Sequence, residues 1–129
     1  MGYHPPLSSL LFPMDVTWGS YHRRQEILRR VVKRAEHGQT VRPWHGVPAL
    51  ALEFESDAEV LQELHHWWVR ALVAKLHGLE LTGCPERAYA EVAAAHPGLR
   101  AVLDAYSDHP ALVASLQRER QLLTSAIAA

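Results

Sequence analysis

The sequence has a single cysteine, Cys84, among its 129 residues. One cysteine cannot form an intramolecular disulfide, which excludes the disulfide-stapled secreted scaffolds and favours a reducing compartment, so we expect a cytoplasmic protein. No apolar run approaches the roughly 18 residues that a membrane-spanning helix needs, and we expect no membrane association. The Cys-x-x-Cys, His-Glu-x-x-His and Cys-x-x-Cys-His signatures are also missing. Without them, no motif specifies a metal or haem site and the sequence names no reaction.

We also expect no secretory signal in the first residues of this sequence. Residues 1–19 have neither the basic n-region nor the clean apolar h-region of such a signal. Pro5, Pro6 and Pro13 are expected to break any helix there. We therefore predict that residues 1–19 form a retained N-terminal arm.

Helical periodicity dominates what is present. Ser56-Asp-Ala-Glu59 is a capping box before a long periodic run, and Ser20 is a suitable N-cap for an earlier one. At 48% hydrophobic content, a chain of this length needs a single core. The sequence therefore predicts an all-α, single-domain bundle of four to five helices over residues 1–129, with the second long helix at its centre. The predicted helices cover residues 20–37, 56–77, about 85–95, about 99–106 and about 110–126, with Ser107 or Asp108 capping the last.

Residues 39–55 interrupt this helical period. Pro43, Gly46 and Pro48 come first, and then Leu50, Leu52 and Phe54 alternate with Ala51, Glu53 and Glu55. A period of two indicates extended backbone, but a lone strand in a helical domain would leave backbone groups unpaired. We predict a long extended crossover segment that packs over the bundle. A loop of this length suggests a functional or interface role.

The formal net charge of -1 conceals an uneven distribution. Residues 1–43 carry seven Lys or Arg against three acids, while residues 44–129 carry six against eleven. This division favours contact between the two halves of the chain, or self-association, over attraction of the whole molecule to polyanions.

The helix predicted over residues 20–37 has a basic face, which raises the hypothesis of nucleic-acid binding. Against it stand the net charge and the lack of aromatic side chains interleaved with the cations. Arg24 projects into the apolar arc and is expected either to reach water or to meet a carboxylate. Residues 85–106 superficially resemble a helix-turn-helix, but its second helix offers just Arg100 to read bases. The basic face comprises Arg23, Arg29, Arg30, Lys33 and Arg34.

Glu63-Leu-His-His66 is a Glu-x-x-His, the spacing found in dinuclear metal centres of helical bundles. His77 shares the same polar sector, and Glu26 or His22 on the first helix could supply further ligands. A dinuclear centre would need a second copy of the motif, which a two-fold dimer could provide. A mononuclear zinc or haem site, walled by Trp67 and Trp68, is chemically simpler. In the alternative, these histidines are ordinary helix-surface residues and the tryptophans belong to the core.

Trp44 and His45 lie in a turn bracketed by two prolines. A rigid turn with an aromatic ring and an imidazole can line a ligand or cofactor pocket. Alternatively, Trp44 fills the open end of the bundle, which is the interpretation we favour.

These observations favour a small cytoplasmic interaction or regulatory domain that is not an enzyme and that forms a homodimer or binds another protein. We expect no cofactor. The first alternative is a metal- or haem-binding bundle, such as an oxidoreductase, with Glu63, His66 and His77 as ligands. The second alternative is nucleic-acid binding through the basic first helix.

Overall fold

The structure is a computed structural model that describes the backbone of residues 5–78 and 85–128 and the side chains of residues 18–77 and 85–124; Cys84 lies outside them. The described residues form six helices and no strand, which confirms the all-α prediction. The helices are α1 (Pro5–Glu36), α2 (Leu50–Glu53), α3 (Asp57–Gly78), α4 (Pro85–Ala95), α5 (Pro97–Ala105) and α6 (Pro110–Ala128). None of these helices is both long enough and apolar enough to span a bilayer.

The prediction that Pro5, Pro6 and Pro13 break any helix in residues 1–19 was wrong, because α1 begins at Pro5 and continues through Pro13. Pro5 and Pro6 occupy the first turn, where the missing N–H has no intrahelical partner to lose. Pro13 removes the one hydrogen bond to the carbonyl of Ser9, and the 32-residue helix continues on both sides of it. Ser20, the predicted N-cap, therefore lies inside a helix.

The crossover segment also differs from its prediction. Residues 50–53 form the short helix α2 instead of an extended strand. Arg42, Gly46 and Ala49 have φ angles of 45°, 74° and 68°, and such left-handed residues turn the backbone repeatedly. The alternating residues do not share a face, because Leu52 is 83% exposed while Phe54 is 5% exposed.

Helix α3 lies at the centre of the bundle, as predicted, and packs against α4, α5 and α6. Ser56 caps it, since its hydroxyl accepts the N–H of Glu59 at 3.2 Å. The carboxylate of Glu59 accepts the N–H of Glu55 at 2.8 Å, one residue before the partner that a capping box would give it. Leu61, Leu64, Trp68 and Leu72 are each fully buried and form the inner face of α3.

Helix α6 is capped by His109, not by the predicted Ser107 or Asp108. Its Nδ1 accepts the N–H of Ala111 at 3.0 Å. An imidazole can replace the usual side-chain oxygen at this position, because a neutral ring nitrogen is also an acceptor.

Helix α5 packs closely against α1 at Gly98. A Cβ added to the buried Gly98 would lie 2.4 Å from the carbonyl oxygen of Val32 and 2.6 Å from Cγ of Glu36. The His96-Pro97-Gly98 break therefore does more than separate α4 from α5. Its glycine lets the two helices touch.

Cations of the basic N-terminal part pair with carboxylates of the acidic part within the same chain. Glu53 is buried, and it accepts hydrogen bonds from Oγ of Ser20 and Nε of Arg23, each at 2.5 Å. Arg24, whose place in the apolar arc left two outcomes open, meets carboxylates: Nη2 lies 3.3 Å from Oε2 of Glu59 and Nη1 lies 3.9 Å from Oε1 of Glu63. The acidic start of α3 thus faces the basic α1 of the same chain.

Because of these contacts, the free energy of unfolding is expected to change with pH in the acid range. The Ser20 hydrogen bond holds the pKa of Glu53 below its ordinary value, with Arg23 and Arg24 adding to the effect and burial opposing it. A carboxyl group whose pKa is lowered by folding stabilises the fold above its unfolded pKa, and that contribution is lost as the pH falls through the folded pKa. Glu53→Gln is expected to lower the free energy of unfolding by about 1.5–3 kcal/mol at neutral pH. Urea denaturation from pH 7 downward is expected to show this difference shrinking in acid.

Glu55→Gln is the matched control, because Glu55 is an exposed carboxylate two residues away. Its effect should be small at every pH. If the loss in free energy of unfolding caused by Glu53→Gln stayed constant as the pH fell, the charge of Glu53 would not be what stabilises the α1–α2 contact.

Candidate functional site

Glu63 and His66 lie one turn apart on α3, and Nδ1 of His66 is 3.8 Å from Oε1 of Glu63. The imidazole is 68% exposed, and Glu63 faces the guanidinium of Arg24. The carboxylate of Glu63 therefore already faces the cation of Arg24, with which a metal ion would have to compete. His77 is exposed about three turns after His66 and lies at the surface rather than at a shared centre.

The remaining predicted ligands lie on α1. Glu26 is paired with Arg29 at 3.2 Å, and the ring of His22 packs edge-on against Trp18 with a centroid distance of 4.5 Å. Within the part of the chain that the structure describes, no three His, Cys, Asp or Glu side chains are close enough to hold a metal ion together. The metal hypothesis therefore stays a prediction for which these contacts give no support.

Trp44 is fully buried, and its Nε1 donates to Oδ1 of Asp57 at 2.9 Å. Its ring packs against Tyr106 with a centroid distance of 5.3 Å. His45 is exposed, and its carbonyl accepts a 2.7 Å hydrogen bond from Nη1 of Arg34. The two residues of the predicted pocket thus point apart, and the contacts of Trp44 are those of a core residue.

The helix-turn-helix resemblance does not extend to its one base-reading cation. The side chain of Arg100 is 12% exposed and pairs with Asp104 at 3.0 Å. Its guanidinium carbon lies 4.4 Å from the centroid of the Trp68 ring. Arg100 is therefore a core cation stacked on an aromatic ring, and it is not available to read a base edge.

A surface that sequence reasoning missed lies on α1. Because this helix is continuous before Ser20, Trp18 belongs to it and not to an arm. Trp18 is 63% exposed and Tyr21 is 45% exposed, and their rings stack with a centroid distance of 5.9 Å and an interplanar angle of 17°. We call the exposed side of α1 the outer face. It comprises the exposed residues Trp18, Tyr21, His22, Arg29 and Lys33 and the half-buried Gln25 between them.

The outer face has two chemically different ends. Its aromatic end is formed by Trp18, Tyr21 and His22, and its basic end by Arg29 and Lys33 together with the adjacent Arg30. At 1.5 Å per residue, the whole face is about 22 Å long. A shallow groove of about 650 Å³ runs beside the basic end, lined by Glu26, Arg29, Arg30, Lys33, Arg34, His37 and Gln39.

Part of this basic character is already neutralised. Glu26 pairs with Arg29 at 3.2 Å and with Arg30 at 3.8 Å. Arg34 donates to the carbonyls of Pro43 and His45, at 3.0 Å and 2.7 Å, and so anchors the crossover segment. A carboxylate placed among the cations disfavours a polyanion such as nucleic acid and suits a partner with mixed chemistry.

A second unpredicted feature is the buried pair of His65 on α3 and Glu119 on α6. Nε2 of His65 lies 3.0 Å from Oε1 of Glu119, and the two side chains are 5% and 7% exposed. The sequence did hold a signal for it: Glu119 falls among Leu112, Leu116 and Leu123, the apolar face of the last helix. A carboxylate at such a position needs a buried partner.

Comparisons with family models, with curated proteins and with solved structures find no match to this chain.

Proposed function

We propose that this chain is a non-catalytic cytoplasmic interaction domain that pairs with a second copy of itself through the outer face of α1. The observation that carries the proposal is the exposed, stacked Trp18–Tyr21 pair on the same helix face as a row of cations. Large aromatic side chains and arginine are the residue types enriched at the energetic centres of protein interfaces. Two such classes on one exposed face favour a docking surface.

The order of the residues along α1 favours a second copy as the partner. A two-fold axis near Gln25 that pairs two copies of α1 antiparallel would place the aromatic end of each against the basic end of the other. Trp18 would then lie opposite Lys33 of the second copy, and His22 opposite Arg29. Cations over aromatic faces contribute about 0.5–2 kcal/mol each, and a two-fold interface forms every such contact twice.

This arrangement also keeps like charges apart. The two Lys33 side chains would be separated by about 22 Å along the helix axes, well beyond the roughly 8 Å over which charges act at physiological salt. In a parallel pairing, the basic ends would instead lie side by side. Charge therefore selects the antiparallel arrangement.

Trp18→Ala is expected to weaken self-association at least tenfold, because truncating an aromatic residue that acts as an interface hot spot costs about 2 kcal/mol or more. Light scattering over a dilution series measures the monomer–dimer equilibrium. Leu52→Ala is the matched control: it removes an apolar side chain that is 83% exposed on α2 and lies outside the outer face. Its dissociation constant should equal that of the unsubstituted chain.

Equal weakening by the two substitutions would point to non-specific association of apolar surface, and monomers at every concentration would remove the dimer. A binding assay with duplex and single-stranded oligonucleotides separates the nucleic-acid alternative. Tight, steeply salt-dependent binding that is lost when Arg29, Arg30 and Lys33 are neutralised would replace our proposal with that one.

A further inference from the structure

A small cavity of about 180 Å³ lies between α3 and α6, on elements that the proposed dimer does not use. The buried pair of His65 and Glu119 forms its inner end. Val69 and Leu122 supply apolar walls. The remaining lining residues are His66, Ser115 and Arg118.

The inner end of the cavity is suited to a positive group. Among the described residues, His65 is the one hydrogen-bond partner of the Glu119 carboxylate, through Oε1. An ionised carboxylate can accept about four hydrogen bonds, and a buried one is costly when it is incompletely paired. Room is therefore left for a donor that carries a positive charge.

The outer end of the cavity has the opposite character. Arg118 and His66 are exposed, and Ser115 is half-buried beside them. Nη2 of Arg118 donates to Oγ of Ser115 at 3.3 Å, which holds the guanidinium over the cavity wall. Guanidinium, hydroxyl and imidazole groups are hydrogen-bond donors that together suit a carboxylate.

We propose that this cavity binds a small aliphatic α-amino acid. The ammonium group would bind to Glu119, the carboxylate to Arg118, and the side chain would lie between Val69 and Leu122. At about 30 Å³ per water molecule, the cavity has room for about six waters. This is the space of a ligand of roughly eight heavy atoms, such as valine. A negative inner end, a positive outer end and apolar walls match the three parts of such a molecule.

Titration of the ¹⁵N-labelled chain with L-valine, followed by NMR, tests the proposal. Saturable shifts are expected at the amides of Val69 and Leu122. Isobutylamine and isovalerate each retain one charged group of valine, and each is expected to bind at least tenfold more weakly. Equal binding of either half-ligand, or no saturable shift with valine, would overturn the proposal.

Three variants assign the binding groups. Glu119→Gln keeps the shape of the side chain and is expected to lose valine binding, and Arg118→Ala is expected to weaken it at least tenfold. Arg120→Ala is the control, because Arg120 is exposed on the same helix and does not line the cavity. Arg118 is exposed, so its variant keeps the test decisive if Glu119→Gln disturbs folding. Unchanged valine affinity in Arg118→Ala would refute the assigned role of the guanidinium.

Discussion

Trp44→Ala is expected to lower the free energy of unfolding by about 3–5 kcal/mol, the range for removing a large buried aromatic side chain. Trp44 is fully buried, packs against Tyr106 and donates its N–H to Asp57. The substitution leaves a cavity where the crossover segment meets the bundle. The total free energy of unfolding of a small domain is about 5–15 kcal/mol, so this substitution is expected to remove a large part of the stability. Urea denaturation followed by far-UV circular dichroism measures the loss without relying on tryptophan fluorescence.

Trp18→Ala makes the same chemical change at a site that is 63% exposed. At protein concentrations low enough to keep the chain monomeric, its effect on unfolding should lie within about 0.5 kcal/mol. If Trp44→Ala were equally mild, Trp44 would not be a core residue, and the interpretation of residues 43–48 as a ligand-binding turn would regain its force.

Gly98→Ala is expected to destabilise the fold by about 1–3 kcal/mol or more, because the added methyl group would overlap backbone atoms of α1. The overlap is severe, at 2.4 Å from the carbonyl oxygen of Val32. Neither helix can relieve it by a change of rotamer, so α5 must move away from α1. Thermal denaturation of the variant measures the cost as a lowered Tm.

Gly19→Ala is the matched control, with the opposite sign expected. A Cβ at Gly19 would lie 3.2 Å from Nη1 of Arg23, the far end of a flexible side chain that can shift. Inside a helix, alanine is favoured over glycine by about 0.5–1 kcal/mol. If both variants had the same Tm, the close contact between α1 and α5 would not be a constraint on the fold.

The elements that sequence reasoning predicted well are those with strong local signals. The capping box at Ser56 and the periodicity after it located α3, and Pro85 located the start of α4, while α5 begins at Pro97, two residues before its predicted start. These boundaries depend on backbone chemistry within one turn, which a sequence shows directly. The burial of Trp68 followed from the wide apolar arc of the same helix.

What the sequence did not reveal depends on long-range contacts or on context. Pro13 argued against a helix that forms in spite of it, and so Trp18 was separated from the basic face that it shares. The alternation around Leu52 suggested a strand. The left-handed φ angles at Arg42 and Ala49, which turn the backbone there, are not apparent from residue type. The partner of His65 lies 54 positions away at Glu119, a pairing that no helical period can predict.

The central claim, antiparallel pairing of two copies of α1, is tested most directly by a distance between the copies. A nitroxide at Gln25→Cys, in a chain with Cys84→Ser, places one label per copy next to the proposed two-fold axis. Packed helices lie about 8–10 Å apart, so the two nitroxides are expected to lie within roughly 20 Å of each other and to broaden the continuous-wave electron paramagnetic resonance spectrum of the dimer by dipolar coupling. An unbroadened spectrum at concentrations where light scattering reports dimers, or a longer distance between the labels in double electron–electron resonance, would contradict the account.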